Sequence, residues 1–139
     1  METAPLAALL RLSTAHAATT RLLDAKIGGH HGLSFAELRL LRVLSGAPEE
    51  GLRPTELAAT LEITASGVTR TVLPLEKRGI LRRRADAGDA RASRITLTPA
   101  GRTLTADASA TAAEGAARLT RRLSLGQTRQ LERLLGELT

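Results

Sequence analysis

Leucines recur at helical spacing almost from the start of the chain. Leu6, Leu9, Leu10, Ser13 and Ala17 share one face of a helix expected over residues 5–27, and GGHHG at 28–32 is expected to end it. Ser34 and Glu37 have the spacing of a capping box for a second helix. Its apolar residues Phe35, Leu38, Leu41 and Leu44 recur every third position. After the loop GAPEEG, Pro54 suits the first turn of a third helix, with Leu57, Ala58 and Leu61 inward. Thr64 can cap a fourth helix, about 65–78. Val68, Val72 and Leu75 are its buried stripe, Ser66, Arg70, Leu73 and Lys77 its opposite side, and Gly79 its stop.

The period then changes. Ile95 and Leu97 alternate with Arg94, Thr96 and Thr98, so residues 80–85 and 93–98 read as an antiparallel pair turning at Asp86, Gly88 and Asp89. Thr98 caps a long helix from Pro99, with Leu104, Ala108, Thr111, Gly115 and Leu119 as its thin inward face. Ser124 and Gln127 open a last helix carrying Leu131, Leu134, Leu135 and Leu138. Two short helices joined by about three residues and followed by a hairpin make a winged helix-turn-helix. The expected class is therefore mainly α (α+β). A DNA-binding region at 34–98 lies between an N-terminal dimerisation helix and linker at 1–33 and C-terminal dimerisation helices at 99–139.

Charge adds a location to this pattern. The chain of 139 residues has a net charge of +6 and a sequence pI of about 11.3, which makes a polyanion the first partner to consider. Residues 77–94 hold Lys77, Arg78, Arg82, Arg83, Arg84, Arg91 and Arg94 against only Asp86 and Asp89, so the excess sits at the hairpin. Phe35 is the sole aromatic residue, which argues against single-strand binders that stack bases on rings. Duplex phosphates and grooves remain. Cysteine is absent, so disulfide, thiol-redox and iron–sulfur chemistry are excluded. Glu2 in place of a basic leader region, Arg11 within the first apolar run, and no run near the ~18–20 apolar residues of a membrane span give a cytoplasmic expectation.

The stretch LAATLEITASGVTRTVLPLEKRGILRRRADAGDARASRITLTPAG, residues 57–101, resembles the MarR family of bacterial transcriptional regulators. The resemblance rests on Leu57-Ala58, Ser66 to Arg70, Leu75 to Gly79, Arg83, the Asp86/Asp89/Arg91 wing pattern and Leu97 to Gly101. It implies a homodimer formed through N- and C-terminal helices on pseudo-palindromic double-stranded promoter DNA. It implies repression rather than activation, relieved when a small aromatic or apolar effector occupies a cleft. Pro74 departs from the pattern; it removes a hydrogen bond to residue 70 and is expected to kink the recognition helix.

The DNA-binding set expected on these grounds is Thr64, Ser66, Thr69, Arg70, Arg83, Asp89 and Arg91. Arg70 suits the O6/N7 edge of guanine, and Arg91 suits a narrow minor groove. Asp86 and Asp89 are expected to hold the turn, one of them bracing the Arg91 guanidinium. Arg82, Arg83 and Arg84 alternate across a strand, so at least one is expected to pair internally, with Glu76. His16, His30 and His31 lack the spacing of a metal site; His30 and His31 are read as loop residues at a helix end or as lining the effector cleft, with no metal and no cofactor expected. No nucleophile elbow, phosphate loop or zinc-protease motif occurs, so no enzyme is expected. The alternative function is a dimeric winged-helix module acting through a protein partner without operator specificity.

Overall fold

Six helices and one hairpin follow in the order α1 (Ala4–His31), α2 (Phe35–Ser45), α3 (Pro54–Leu61), α4 (Ala65–Lys77), β1 (Leu81–Asp86), β2 (Asp89–Leu97), α5 (Pro99–Leu119) and α6 (Leu125–Gly136). The structure is a computed structural model that describes residues 3–139; Met1 and Glu2 lie outside the described residues. Among those described, no helix is long and apolar enough to cross a membrane.

Local chemistry sets the boundaries. Ser34 Oγ accepts from the Glu37 N–H while the Glu37 carboxylate accepts from the Ser34 N–H, closing the expected box, and Ser124 and Gln127 do the same for α6. Such a cap is worth about 1 kcal/mol. Pro54 opens α3 as expected.

Two expectations are corrected. GGHHG does not break the chain: α1 continues through Gly28 and Gly29 to His31, and only Gly32, at φ 65°, ends it. The two glycines cost roughly 1 kcal/mol each, which burial of Leu23 and Ile27 on the preceding turns offsets. The inward face of α5 keeps the expected Ala108 and Gly115, leaves Leu104 and Thr111 half-buried, and is centred on Gly101, Thr105 and Ala112 as well. Leu119 is exposed. The reason is proximity: a Cβ on Gly115 would lie 2.8 Å from Leu23 Cδ2, so α1 and α5 meet along a seam too close for leucine.

The hairpin is longer than the expected strands. Its pairs run from Leu81↔Leu97 through Arg83↔Ile95 to Ala85↔Ser93, then shift to Asp86↔Asp89, leaving 90–92 as a bulge in β2. Leu52 forms an antiparallel bridge to Ile95, so β2 has backbone partners on both sides. The core draws leucine, isoleucine and valine from α1 to α4 and both strands, with alanines from α5. Helix α6 contributes no buried residue.

Candidate nucleic-acid interface

Helix α4 is fixed at both ends. Thr64 Oγ1 accepts from the Gly67 N–H and bonds Ser66 Oγ at 3.0 Å. At the other end the Gly79 and Ile80 N–H groups donate to the carbonyls of Glu76 and Leu75, with Gly79 at φ 73°. That is a Schellman stop, completed by burial of Leu75 and Ile80. Thr98 continues the brace: its N–H donates to the Ile80 carbonyl, its hydroxyl donates to the Gly79 carbonyl at 2.6 Å, and the same hydroxyl accepts from the Gly101 N–H. A Cβ on Gly101 would collide with the Ile80 carbonyl oxygen. The Thr98–Gly101 spacing therefore reflects a helix start pressed against the end of another.

Val68, Val72 and Leu75 are buried as expected, which turns Ser66, Thr69, Arg70 and Leu73 outward. Helix α4 runs on through the exposed Pro74 without interruption. The Thr69 hydroxyl donates to the Ala65 carbonyl. Among the described residues, the Arg70 and Arg91 guanidinium groups have no carboxylate partner.

The expected internal pair is present. Arg83 Nε donates to Glu76 Oε2 at 2.8 Å, tying β1 to the last turn of the recognition helix. At the wing tip, Asp89 Oδ1 accepts from the Arg91 backbone N–H and Asp86 Oδ1 from the Gly88 N–H, so both aspartates hold the turn as expected. Neither braces the Arg91 guanidinium. Asp86 points inward instead, 8% exposed, with Arg53 Nε at 2.6 Å and Arg94 Nε at 3.4 Å from its Oδ2.

Thr64, Ser66, Thr69 and Arg70 thus lie along one helix face, Asp89 and Arg91 share the wing tip, and Arg83 stands between the two groups. Sequence reasoning missed Arg53 and Arg94. Arg94 also donates to the Gly51 carbonyl at 2.9 Å. One signal was available: Arg84 pairs across the strands with Arg94, and facing like charges call for a counter-charge. The histidines take separate places. His16 lines the groove between α1 and α6, His30 bonds the Lys26 carbonyl, and His31 shares a 2.7 Å hydrogen bond with Thr111 of α5.

A second surface lies away from the wing. Leu6, Leu9, Leu10 and Leu12 of α1, Leu131, Leu134 and Leu135 of α6, and Leu138 just beyond it are all exposed, Leu134 by 49%. Leu9, Leu12, Leu131, Leu134, Leu135 and Leu138 are among the residues lining a cleft of about 760 Å³.

A family model described as the MarR family matches residues 31–92. The HTH-type transcriptional repressor Rv2887 of Mycobacterium tuberculosis is 35% identical over 107 residues, spanning 77% of this chain and 76% of that protein. Among solved structures, Sco3205, a MarR family transcriptional regulator from Streptomyces coelicolor in complex with DNA, is 26% identical. It superposes with a TM-score of 0.88, covering 99% of this chain and 88% of that one. A probable transcriptional regulator from Pseudomonas aeruginosa is 28% identical with a TM-score of 0.84, covering 94% and 95%.

The Asp86 carboxyl is held below its ordinary value of 3.8, first by the Gly88 N–H bond, then by the hydrogen bond and charge of Arg53 and the charge of Arg94, against the opposing effect of burial. A lowered folded pKa means that this group stabilises the wing above pH 3.8 and that its contribution is lost as pH falls through the lower folded value. The Gly88 amide resonance in an NMR titration should therefore move with a midpoint under 3.8. In Asp86→Asn that titration should vanish and the wing should lose order even at neutral pH. A midpoint at or above 3.8 would contradict the ion-paired wing base.

Proposed function

The chain belongs to the MarR family and is a DNA-binding transcriptional repressor, and we propose that it works as a homodimer on pseudo-palindromic promoter duplex. The observation that carries this reading is the exposed face of α4. It bears a guanidinium, Arg70, with no carboxylate partner among the described residues, beside a wing whose tip carries another, Arg91. Helix α4 enters the major groove, and the wing lies along the adjoining minor groove. Arg70 reads guanine, Thr64, Ser66 and Thr69 offer hydroxyls to phosphate or base edges, and Asp89 sets the backbone from which Arg91 reaches inward. Arg83 uses one N–H on Glu76, and a guanidinium has five, so it remains in the phosphate-binding set. The repressor Rv2887 and the DNA-bound Sco3205 support this reading.

Residues 34–98 form the DNA-binding region in this account, and 1–33 with 99–139 the dimerisation region. Burial of a leucine side chain is worth about 1.5–3 kcal/mol, and Leu6, Leu9, Leu10 and Leu12 of α1 and Leu125, Leu131, Leu134 and Leu135 of α6 stay exposed among the described residues. A second copy related by a two-fold axis presents the same leucines in return, and the two α4 helices then meet half-sites about 34–36 Å apart. The protein acts where promoter DNA is, in the cytoplasm.

An acidic aromatic or apolar effector fits the remaining chemistry. Between α2 and α5 a cleft of about 280 Å³ is lined by Arg42, Ser45, Arg102, Thr105, Ala106 and Ser109. Neither arginine has a carboxylate partner among the described residues. Such a ligand releases DNA only by preferring a dimer whose recognition helices are wrongly spaced. Aromatic acids at micromolar to millimolar concentration should weaken the gel shift. A panel that leaves binding untouched removes effector release from the reading.

Two alanine variants test the interface, each measured on the selected operator and on scrambled duplex across a salt series. Arg91→Ala should weaken both complexes and lower the salt dependence by about one phosphate-equivalent, because the minor groove distinguishes A·T from T·A poorly. Arg70→Ala should cost roughly 1–3 kcal/mol on the operator and much less on scrambled DNA. An unchanged specificity ratio for Arg70→Ala would place base reading elsewhere on α4. The absence of any operator preference in the unaltered protein would favour the interaction-module alternative.

A further inference from the structure

Arg78 is the C-cap residue of α4, and its side chain turns away from the recognition face toward another helix. Nη1 donates to the Gly32 carbonyl at 2.8 Å and Nη2 to the His31 carbonyl at 3.3 Å. Those carbonyls end α1, where a helix leaves acceptors unsatisfied and carries partial negative charge. The forked guanidinium supplies donors and positive charge together. Apart from this contact α1 and α4 scarcely touch, since each packs mainly on other elements. The same turn of α1 is held from the other side by the His31–Thr111 hydrogen bond to α5.

We propose that Arg78 is a positioning residue that sets the pose of the recognition helix relative to α1, and through α1 the spacing of the two recognition helices in the dimer. This rests on the homodimer reading above. In that dimer the α1 helices belong to the shared platform, while each α4 must meet its own groove. The hydrophobic core fixes α4 against α3 and β1. Arg78 is its direct hydrogen-bonded tie to the platform. Without the tie each half still fits its half-site, but the distance between halves is less sharply defined.

The test compares the unaltered protein, Arg78→Ala and Arg78→Lys on three duplexes: the selected operator, the same operator with one base pair inserted at its centre, and a single half-site. The unaltered protein should bind the inserted operator about tenfold or more weakly than the native one, within the usual range of site-to-site coupling. Arg78→Ala should lose affinity for the native operator, keep its half-site affinity and salt slope, and show a smaller insertion penalty. Arg78→Lys keeps the charge but not the fork, so it should recover affinity only in part and retain the reduced penalty. Loss on all three duplexes with a lower salt slope, restored by lysine, would make Arg78 a phosphate contact and overturn the proposal. So would an insertion penalty equal to that of the unaltered protein. Sedimentation of the same samples separates this from the dimer reading, which fails if the unaltered protein is monomeric on and off DNA.

Discussion

A two-stranded hairpin has too little apolar surface to stand alone in water, so this wing must be held from outside, and Asp86 is where that hold is made. Its carboxylate closes the β1–β2 turn through the Gly88 N–H and meets Arg53 from the loop before α3 and Arg94 from β2. Arg94 reaches on to the Gly51 carbonyl, next to the Leu52–Ile95 bridge. A partly buried carboxylate with one cation would be poorly compensated; with two cations and a backbone donor it fixes the base of the wing against the helix-turn-helix. At the tip β2 bulges around Arg91, whose side chain is exposed.

That division sorts the arginines. Arg53, Arg83 and Arg94 face carboxylates, and Arg78 faces the end of a helix. Arg70 and Arg91 face outward. The first group builds the frame, with the remaining donors of Arg83 left for phosphate in the proposed interface, and the second is available to a polyanion. A count of positive charges in 77–94 treats both alike, although Arg83 and Arg94 are tied to carboxylates while Arg91 faces outward.

Much of this was legible in the sequence because the signals were local. The capping boxes at Ser34 and Ser124, the stop at Gly79 and the stripe Val68–Val72–Leu75 all follow from spacing; strand alternation called for an internal arginine partner of Glu76 without saying that it is Arg83. The failures came from contacts between distant segments. GGHHG resembles a terminator until α5 is seen to bury the helix leading into it. The narrow face of α5 was read with Leu119 on it because that residue is apolar, but Leu119 is exposed and the seam with α1 closes on Gly115. Asp86 was assigned correctly to the turn, but its shortest ion pair is to Arg53, in a loop more than thirty residues earlier. No periodicity could reveal it.

The central claim is that a rigid wing and a recognition helix engage neighbouring grooves at two symmetric sites. Footprinting the protein on its selected operator, with hydroxyl radicals for the minor groove and guanine methylation for the major groove, tests it most directly. The account predicts two blocks of methylation protection about one helical turn apart, each flanked on its outer side by a minor-groove patch shielded from radicals. A single unpaired block, or major-groove protection with fully cleaved outer minor grooves, would contradict it.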